Sequence, residues 1–346
     1  MSGRIPCVYS NGRVTGDMEI FVTLPKGELR DDFFPNEVRH RLESLGSVSW
    51  NPSTDDLSED ALRERIDGVD VLVTGWGSPQ ITADVLEAAD DLQLIAHTGG
   101  SVGTLVSEAV YDAGIRVVSA NDVMADYTAE HTFGSIVAKL RAVPELDASM
   151  KAGEFGAGDV DIRTLYGKDV GLVGLGTIGR KLLDHMASFD VSASVYDPYV
   201  DAEELAEYPF ATLTDLETAL DSAVVSVHAA RTEETIGMLD ADRLAQIPDG
   251  ALFVNTARAE IVDEAALVAE LRSGRLSGVF DVYHREPLPA DHELRALDNV
   301  LLTPHVGGSQ IRGPLTEAVI DDIERFERDQ SLEHEIPRRQ WKTMTR

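Results

Sequence analysis

The segment KDVGLVGLGTIGRKLLDHMASFDVSASVYDPY, residues 168–199, constrains the fold of this chain more than any other. An apolar run at residues 170–173 leads directly into Gly174, Gly176 and Gly179 in GxGxxG spacing, and the apolar residues that follow recur at helical intervals. Each glycine has its own task. The first makes a tight turn, the second lets backbone approach a pyrophosphate, and the third permits close packing of helix on strand. Thr177 and Ile178 open that helix, whose N-terminal N–H groups and partial positive charge suit phosphate. Asp197 ends the next expected strand about 20 residues beyond Gly176. There its carboxylate can accept both hydroxyls of an adenosine ribose, and it repels a 2′-phosphate. The spacing predicts a dinucleotide site that takes NAD in preference to NADP.

On both sides of this motif, apolar β-rich runs alternate with helical segments, the pattern of parallel sheets covered by helices. Before it, strands are expected at residues 6–9, 47–50, 69–75, 92–97 and 115–119, with helices near 36–45, 58–66, 82–89 and 104–113. Within and after it, strands are expected near 170–173, 192–196, 223–227, 251–255, 278–280 and 300–303. One helical stretch is expected from residue 122 to residue 150, then a glycine-rich surface loop at 151–159, and a last helix near 313–330. The tail beyond Gln330, with Arg338, Arg339, Lys342 and Arg346, reads as a solvated end. The expected fold class is α/β, with two Rossmann-like domains, each a doubly wound parallel sheet.

Composition narrows the function classes. The length of 346 residues suits about two domains. No run approaches the roughly 18 apolar residues of a membrane span. Residues 1–20 lack the apolar core of a secretory signal, and Cys7 has no partner cysteine, so a reducing cytoplasm is expected. Acidic residues outnumber basic ones 61 to 30, for a net charge of −31 spread along the chain. Nucleic acid is a poor partner, because phosphate binding needs basic patches and the sequence shows none. Neither a membrane partner nor a metal site is expected. The only lysines are Lys26, Lys139, Lys151, Lys168, Lys181 and Lys342, so the surface favours hydrated carboxylates. That balance points to a halophile, because molar salt quenches the self-repulsion of such a surface.

Three further segments carry chemistry: FVNTARAEIVDEAAL around Arg258, GVFDVYHREPLP around Glu286, and NVLLTPHVGG around His305. With the glycine fingerprint they resemble the D-isomer-specific 2-hydroxyacid dehydrogenase family, in its order and near its spacing, over nearly the whole chain. The resemblance implies a discontinuous substrate domain of flavodoxin-like type, residues 1–121 plus 309–346, around a central NAD-binding domain, residues 122–308. It also implies a homodimer.

Reducing a 2-oxo acid needs a proton for the carbonyl oxygen and cationic or N–H groups for the carboxylate. His305 matches the general acid and base, since imidazole exchanges protons near neutral pH. Glu286 would fix its tautomer through the other ring nitrogen, and Arg258 would hold the carboxylate and polarise the carbonyl oxygen. By resemblance, Asp281 contacts the nicotinamide carboxamide, Thr256, Ala257 and Arg258 form a turn beside that ring, and His228 and Ala229 line the same pocket. His305, Gly307 and Gly308 complete the cofactor-facing set. Ser101, Val102 and Gly103, in HTGGSVGTLV, align with a loop whose backbone amides bind the substrate carboxylate, although Thr104 stands where common members carry aspartate. Trp76, between two glycines, is expected to face an interdomain cleft and to shape the pocket for a bulky or apolar side chain. Arg231, in HAARTEET, departs from the family pattern and reads as an exposed charge.

The expected activity is hydride transfer between NAD(H) and a D-2-hydroxy acid/2-oxo acid pair. The alternative is an NADH-sensing, corepressor-like binding protein of the same fold. A phosphoglycerate dehydrogenase is disfavoured because no room follows residue 330 for a regulatory domain and no extra basic cluster awaits a phosphate. Formate oxidation needs no proton transfer of the kind that a Glu286–His305 pair serves.

Overall fold

Two parallel sheets organise the computed structural model, which describes residues 18–345 other than 157, 159 and 309. The first belongs to a unit formed by the described residues up to Val123 together with Ile311–Thr343. Its strands are β1 (Met18–Val22), β2 (Gly46–Trp50), β3 (Val71–Thr74), β4 (Leu94–His97) and β5 (Arg116–Ser119), in the order β2-β1-β3-β4-β5. Every residue of β3 and β4 is buried, as expected of parallel strands covered on both faces. The strand expected at residues 6–9 lies outside the described residues. Strand β1 was not expected: only Ile20, Phe21 and Val22 of its MEIFV are buried, so its apolar run is short.

The second unit comprises Met124–Gln310 with Met344 and Thr345. Its strands are β6 (Asp169–Val173), β7 (Ser192–Tyr196), β8 (Ala211–Leu213), β9 (Val224–Val227), β10 (Leu252–Asn255), β11 (Ser277–Phe280) and β12 (Val300–Leu302). The order is β12-β11-β10-β9-β6-β7-β8. The chain winds outward from β6 through β7 to β8, then returns to β9 on the other side of β6. Order therefore reverses between β6 and β9, and the crevice beyond their carboxyl ends is where open α/β sheets bind ligands.

Two expectations are corrected. The helical stretch from residue 122 to 150 is two helices, Asn121–Leu140 and Val143–Lys151, parted at Ala142, whose φ of 51° is left-handed. Pro144 causes the break, because it has no N–H to donate and is tolerated only in the first turn of the second helix. The tail is docked as far as Thr345, although Arg338, Arg339 and Lys342 stay exposed, and Arg346 lies outside the described residues. Ile336 N–H donates to Val117, Trp341 is buried against Tyr111 at 5.4 Å between ring centroids, and Arg338 pairs with Glu108 and Asp112. Apolar anchors and opposite charge dock it on the first unit.

Candidate active site

In the second unit, Gly174 has a φ of 97°, and a Cβ there would lie 2.5 Å from the Ala229 nitrogen. Only glycine allows the loop after β6 to touch the loop after β9 this closely. A Cβ on Gly179 would come within 2.9 Å of the Gly174 carbonyl oxygen, so this glycine lets the helix Thr177–Met186 lie against its own strand. At Gly176, the N-cap of that helix, a Cβ would meet nothing within 4 Å, and no side chain caps the helix. Open space thus faces the first N–H groups of a helix, with Thr177 and Ile178 half-buried at its edge.

Asp197, at the end of β7, accepts the Leu175 N–H at 2.7 Å on one oxygen and the Tyr199 N–H at 2.9 Å on the other. A carboxylate has about four acceptor sites, so acceptor capacity remains on both oxygens. Turn, open helix end and anchored acid together fit a dinucleotide.

The other groups come from parallel strands of the same sheet, so all leave its carboxyl end. Arg258 follows β10 on a turn tied by Asn255, whose side chain donates to the Arg258 carbonyl at 2.9 Å and accepts the Ala257 N–H at 3.0 Å. The Arg258 guanidinium donates to the Ala257 carbonyl at 2.6 Å. Burial, then neighbouring Arg231, push its pKa down, while Glu260 and Glu286 oppose them. An arginine so disposed remains charged and has reason to seek an anion. Glu286 follows β11 and His305 follows β12. Glu286 Oε2 lies 2.7 Å from His305 Nδ1, and Glu286 Oε1 accepts the Tyr283 N–H at 3.0 Å. Arg258 thus feels the charge of Glu286, and Glu286 bonds His305.

His305 has a φ of 55°, an unusual conformation for a residue with a side chain. Asp281 accounts for it. This carboxylate is 2% exposed, and it accepts the Thr303 hydroxyl at 2.6 Å, the Val306 N–H at 3.0 Å and the Gly307 N–H at 2.9 Å. Its duty as the anchor of the His305 loop was not foreseen in the sequence. Gly307 and Gly308 also serve packing: a Cβ on Gly308 would lie 2.6 Å from Met124 Cγ and Thr128 Oγ1 of the long helix. His228, after β9, bonds Ser226 through Nε2 at 2.8 Å, and burial pushes its pKa down to about 4. It is a buried, neutral imidazole at pH 7. Thr256 bonds Thr132 at 2.7 Å.

A cavity of about 660 Å³ opens beside the Glu286–His305 pair, lined also by Tyr283, Leu288, Arg295 and Thr303. Arg295 donates to the Pro289 and Leu288 carbonyls and so braces its wall. None of these lining residues stood out in the sequence, although Tyr283 and Leu288 fall within DVYHREPLP, Arg295 follows it, and Thr303 lies within NVLLTPHVGG. Arg231 is corrected: it is half-buried and paired with Glu260 at 2.6 Å, because the turn after β10 supplies a carboxylate two residues past Arg258.

In the first unit, Ser101, Val102 and Gly103 follow β4. The Gly103 N–H donates to Ser101 Oγ at 3.2 Å, and Val102 is buried. Trp76 follows β3, half-buried, edge-on to Phe33 at 5.1 Å and 5.6 Å from the Arg312 guanidinium. Among the described residues, no cluster of three or more His, Cys, Asp or Glu suits a metal, and no helix is long and apolar enough to cross a membrane.

Residues 133–307 match the family described as D-isomer specific 2-hydroxyacid dehydrogenase, NAD binding domain. The chain is 35% identical over 243 residues to a D-3-phosphoglycerate dehydrogenase of Archaeoglobus fulgidus, covering 70% of this chain and 46% of that protein. It is 33% identical over 263 residues to a hydroxypyruvate reductase of Thermotoga maritima, covering 74% of this chain and 84% of that one. The chain spans about half the length of the phosphoglycerate dehydrogenases it matches. The solved structure of the TT0316 protein from Thermus thermophilus superposes with a TM-score of 0.75 at 28% identity, covering 92% of this chain and 100% of that one. The chain belongs to the D-isomer-specific 2-hydroxyacid dehydrogenase family.

Proposed function

We propose that this protein is an NAD(H)-dependent oxidoreductase that interconverts a D-2-hydroxy acid and its 2-oxo acid. The observation that carries the reading is the 2.7 Å bond between Glu286 and His305 on loops at the same sheet end as the glycine cradle. A carboxylate only accepts, so Nδ1 of His305 is the donor and Nε2 is the atom that exchanges a proton with the substrate oxygen. Arg258, partly desolvated, holds the carboxylate and stabilises the charge that builds on the carbonyl oxygen. A bound nicotinamide supplies or accepts the hydride. Gly174, Gly176, Thr177, Ile178 and Gly179 would hold its pyrophosphate, and Asp197 its ribose, which favours NAD over NADP. Ser101, Val102, Gly103 and Trp76 enter the reading as substrate contacts, testable by the effect of Trp76→Ala on the ranking of 2-oxo acids.

Two further elements belong to the reading. A homodimer is supported by exposed apolar side chains collected in residues 143–166, namely Val143, Met150, Phe155, Ile162 and Tyr166, and light scattering tests it. The net charge of −31 supports a halophilic protein working in a salt-rich cytoplasm.

The deciding experiment is oxidation of NADH and NADPH with a panel of 2-oxo acids at about 0.1 and 2 M KCl. Hydroxypyruvate heads the panel because the Thermotoga relative is a hydroxypyruvate reductase. NADH binding without turnover of any acid would favour the sensing protein instead, and failure to bind either cofactor would end both readings.

A further inference from the structure

We propose that His131 and Thr132, neighbours on the helix Asn121–Leu140, are positioning residues that hold the His305 loop and the Arg258 turn in one frame. The proposal rests on the reading above, in which Arg258 and His305 do the chemistry. Neither neighbour belongs to the glycine fingerprint or to the motifs around Arg258, Glu286 and His305.

Proton accounting fixes the direction of each bond. Thr303 has one hydroxyl proton, and it goes to Asp281 at 2.6 Å. The 3.1 Å contact between His131 Nε2 and Thr303 Oγ1 therefore has His131 as the donor. His131 Nε2 also lies 3.7 Å from Asp281 Oδ1, the oxygen that accepts the Val306 N–H. The ring continues under the loop: a Cβ on Gly307 would lie 3.4 Å from His131 Cδ2. His131 thus reaches His305 through Thr303, Asp281 and the backbone of residues 306–307. The neighbouring residue serves the other loop. The Thr132 hydroxyl donates to the Thr128 carbonyl at 2.7 Å, so the 2.7 Å contact with Thr256 has Thr256 as the donor. Thr256 is two residues before Arg258. Thr128 and Met124, one and two turns back on the same face, pack against Gly308. One rigid helix therefore sets the separation of two loops that arrive from β10 and β12.

His131→Leu removes the donor and keeps the bulk. A displacement of about 1 Å at reacting groups can cost about 100-fold. We expect kcat to fall about 10- to 100-fold with KM for NADH within about twofold of wild type. His131→Gln, whose amide nitrogen can occupy the place of Nε2, recovers most of the loss. A purely structural role would instead lower kcat, NADH affinity and melting temperature together, in both variants. Wild-type kcat in His131→Leu, or equal damage in the glutamine variant, overturns the proposal.

Nitrogen-15 spectra of labelled histidine read the same point without turnover. The His305 ring signals, identified by their loss in His305→Asn, shift in His131→Leu, and unchanged signals reject the proposal even if no 2-oxo acid is reduced by wild type. Should His131→Leu not fold, the nearly isosteric Thr132→Val carries the test. It raises KM for the 2-oxo acid through Arg258 while NADH affinity holds, and an unchanged KM counts against the shared frame.

Discussion

The carboxyl group of Glu286 divides its two oxygens between His305 Nδ1, at 2.7 Å, and the backbone N–H of Tyr283, at 3.0 Å. The second bond fixes the plane of the carboxylate, so the first is aimed by the turn after β11 and does not depend on chance side-chain rotation.

Replacing this acid with its amide removes the charge and one of the two acceptors. Glu286→Gln can still accept from Nδ1, but its NH2 then faces the Tyr283 N–H and it offers no anion to the imidazolium that forms as His305 takes its second proton. Turnover should fall about 10- to 100-fold, and His305→Ala should cost at least about 100-fold, with NADH affinity nearly intact in both. Because the pair acts as a unit, the double variant should be no slower than His305→Ala alone. Strictly multiplicative losses, or a His305→Ala protein that keeps most of its activity, would refute the assigned pairing.

Asp197 carries the cofactor prediction. Its two oxygens are held by the Leu175 and Tyr199 N–H groups, so Asp197→Asn removes the charge and keeps an acceptor for one of the two. A charge-assisted hydrogen bond contributes about 1.5–3 kcal/mol. The ratio of kcat/KM for NADH over NADPH should therefore drop about 10- to 100-fold. Competition of the two cofactors in steady-state assays measures it, and an unchanged ratio would remove Asp197 from the ribose site.

What could be read in the chain follows from how far apart the partners lie. The glycine turn and Asp197 are legible as positions because each falls at a local offset from a strand end, while Arg258, Glu286 and His305 stand out through the resemblance of their segments to the family. Asp281 was legible as a residue, but its bonds to Val306 and Gly307 were not, because they depend on a loop about 25 residues on folding back over it. The bonds of His131 to Thr303 and Thr132 to Thr256 span 172 and 124 residues, and no periodicity reports such a meeting. Pro144 did signal the helix break at Ala142, but the apolar periodicity on either side ran through it. Tail docking depends on Trp341 finding Tyr111, a tertiary event with no local trace.

Two buried histidines give the pH dependence of stability. Burial pushes His97 and His228 down to about 4, against 6.5 for an open chain. Between those values the unfolded chain binds protons that the folded one does not, so stability falls as pH drops from about 6.5 towards 4 and is unaffected above that window. Each histidine contributes on the order of 3 kcal/mol to the loss when the window is crossed. In His97→Asn, which keeps a hydrogen-bonding group near Thr74, melting temperature should decline less steeply between about pH 7 and 5. Parallel declines in variant and wild type would show that the acid sensitivity lies elsewhere.

Charge sets the last dependence. The 30 basic residues face 61 acidic ones, and many of the basic groups are engaged, as in Arg41 with Asp321 and Glu324 or Arg116 with Glu335. The surplus carboxylates have mainly one another as neighbours in charge. Raising salt from about 0.1 to 1 M shortens the screening length from about 10 to 3 Å, which weakens repulsion across the surface more than it weakens pairs in contact. The sign is therefore stabilising. Between about 0.1 and 2 M KCl the melting temperature should rise by roughly 5–10 °C, the equivalent of about 2–3 kcal/mol in domains of this size. Sucrose at matched osmolality is excluded from the surface without screening it, so it should reproduce only a minor part of the rise. A flat response to KCl, or an equal response to sucrose, would mean that the acidic surface is not held together by screening.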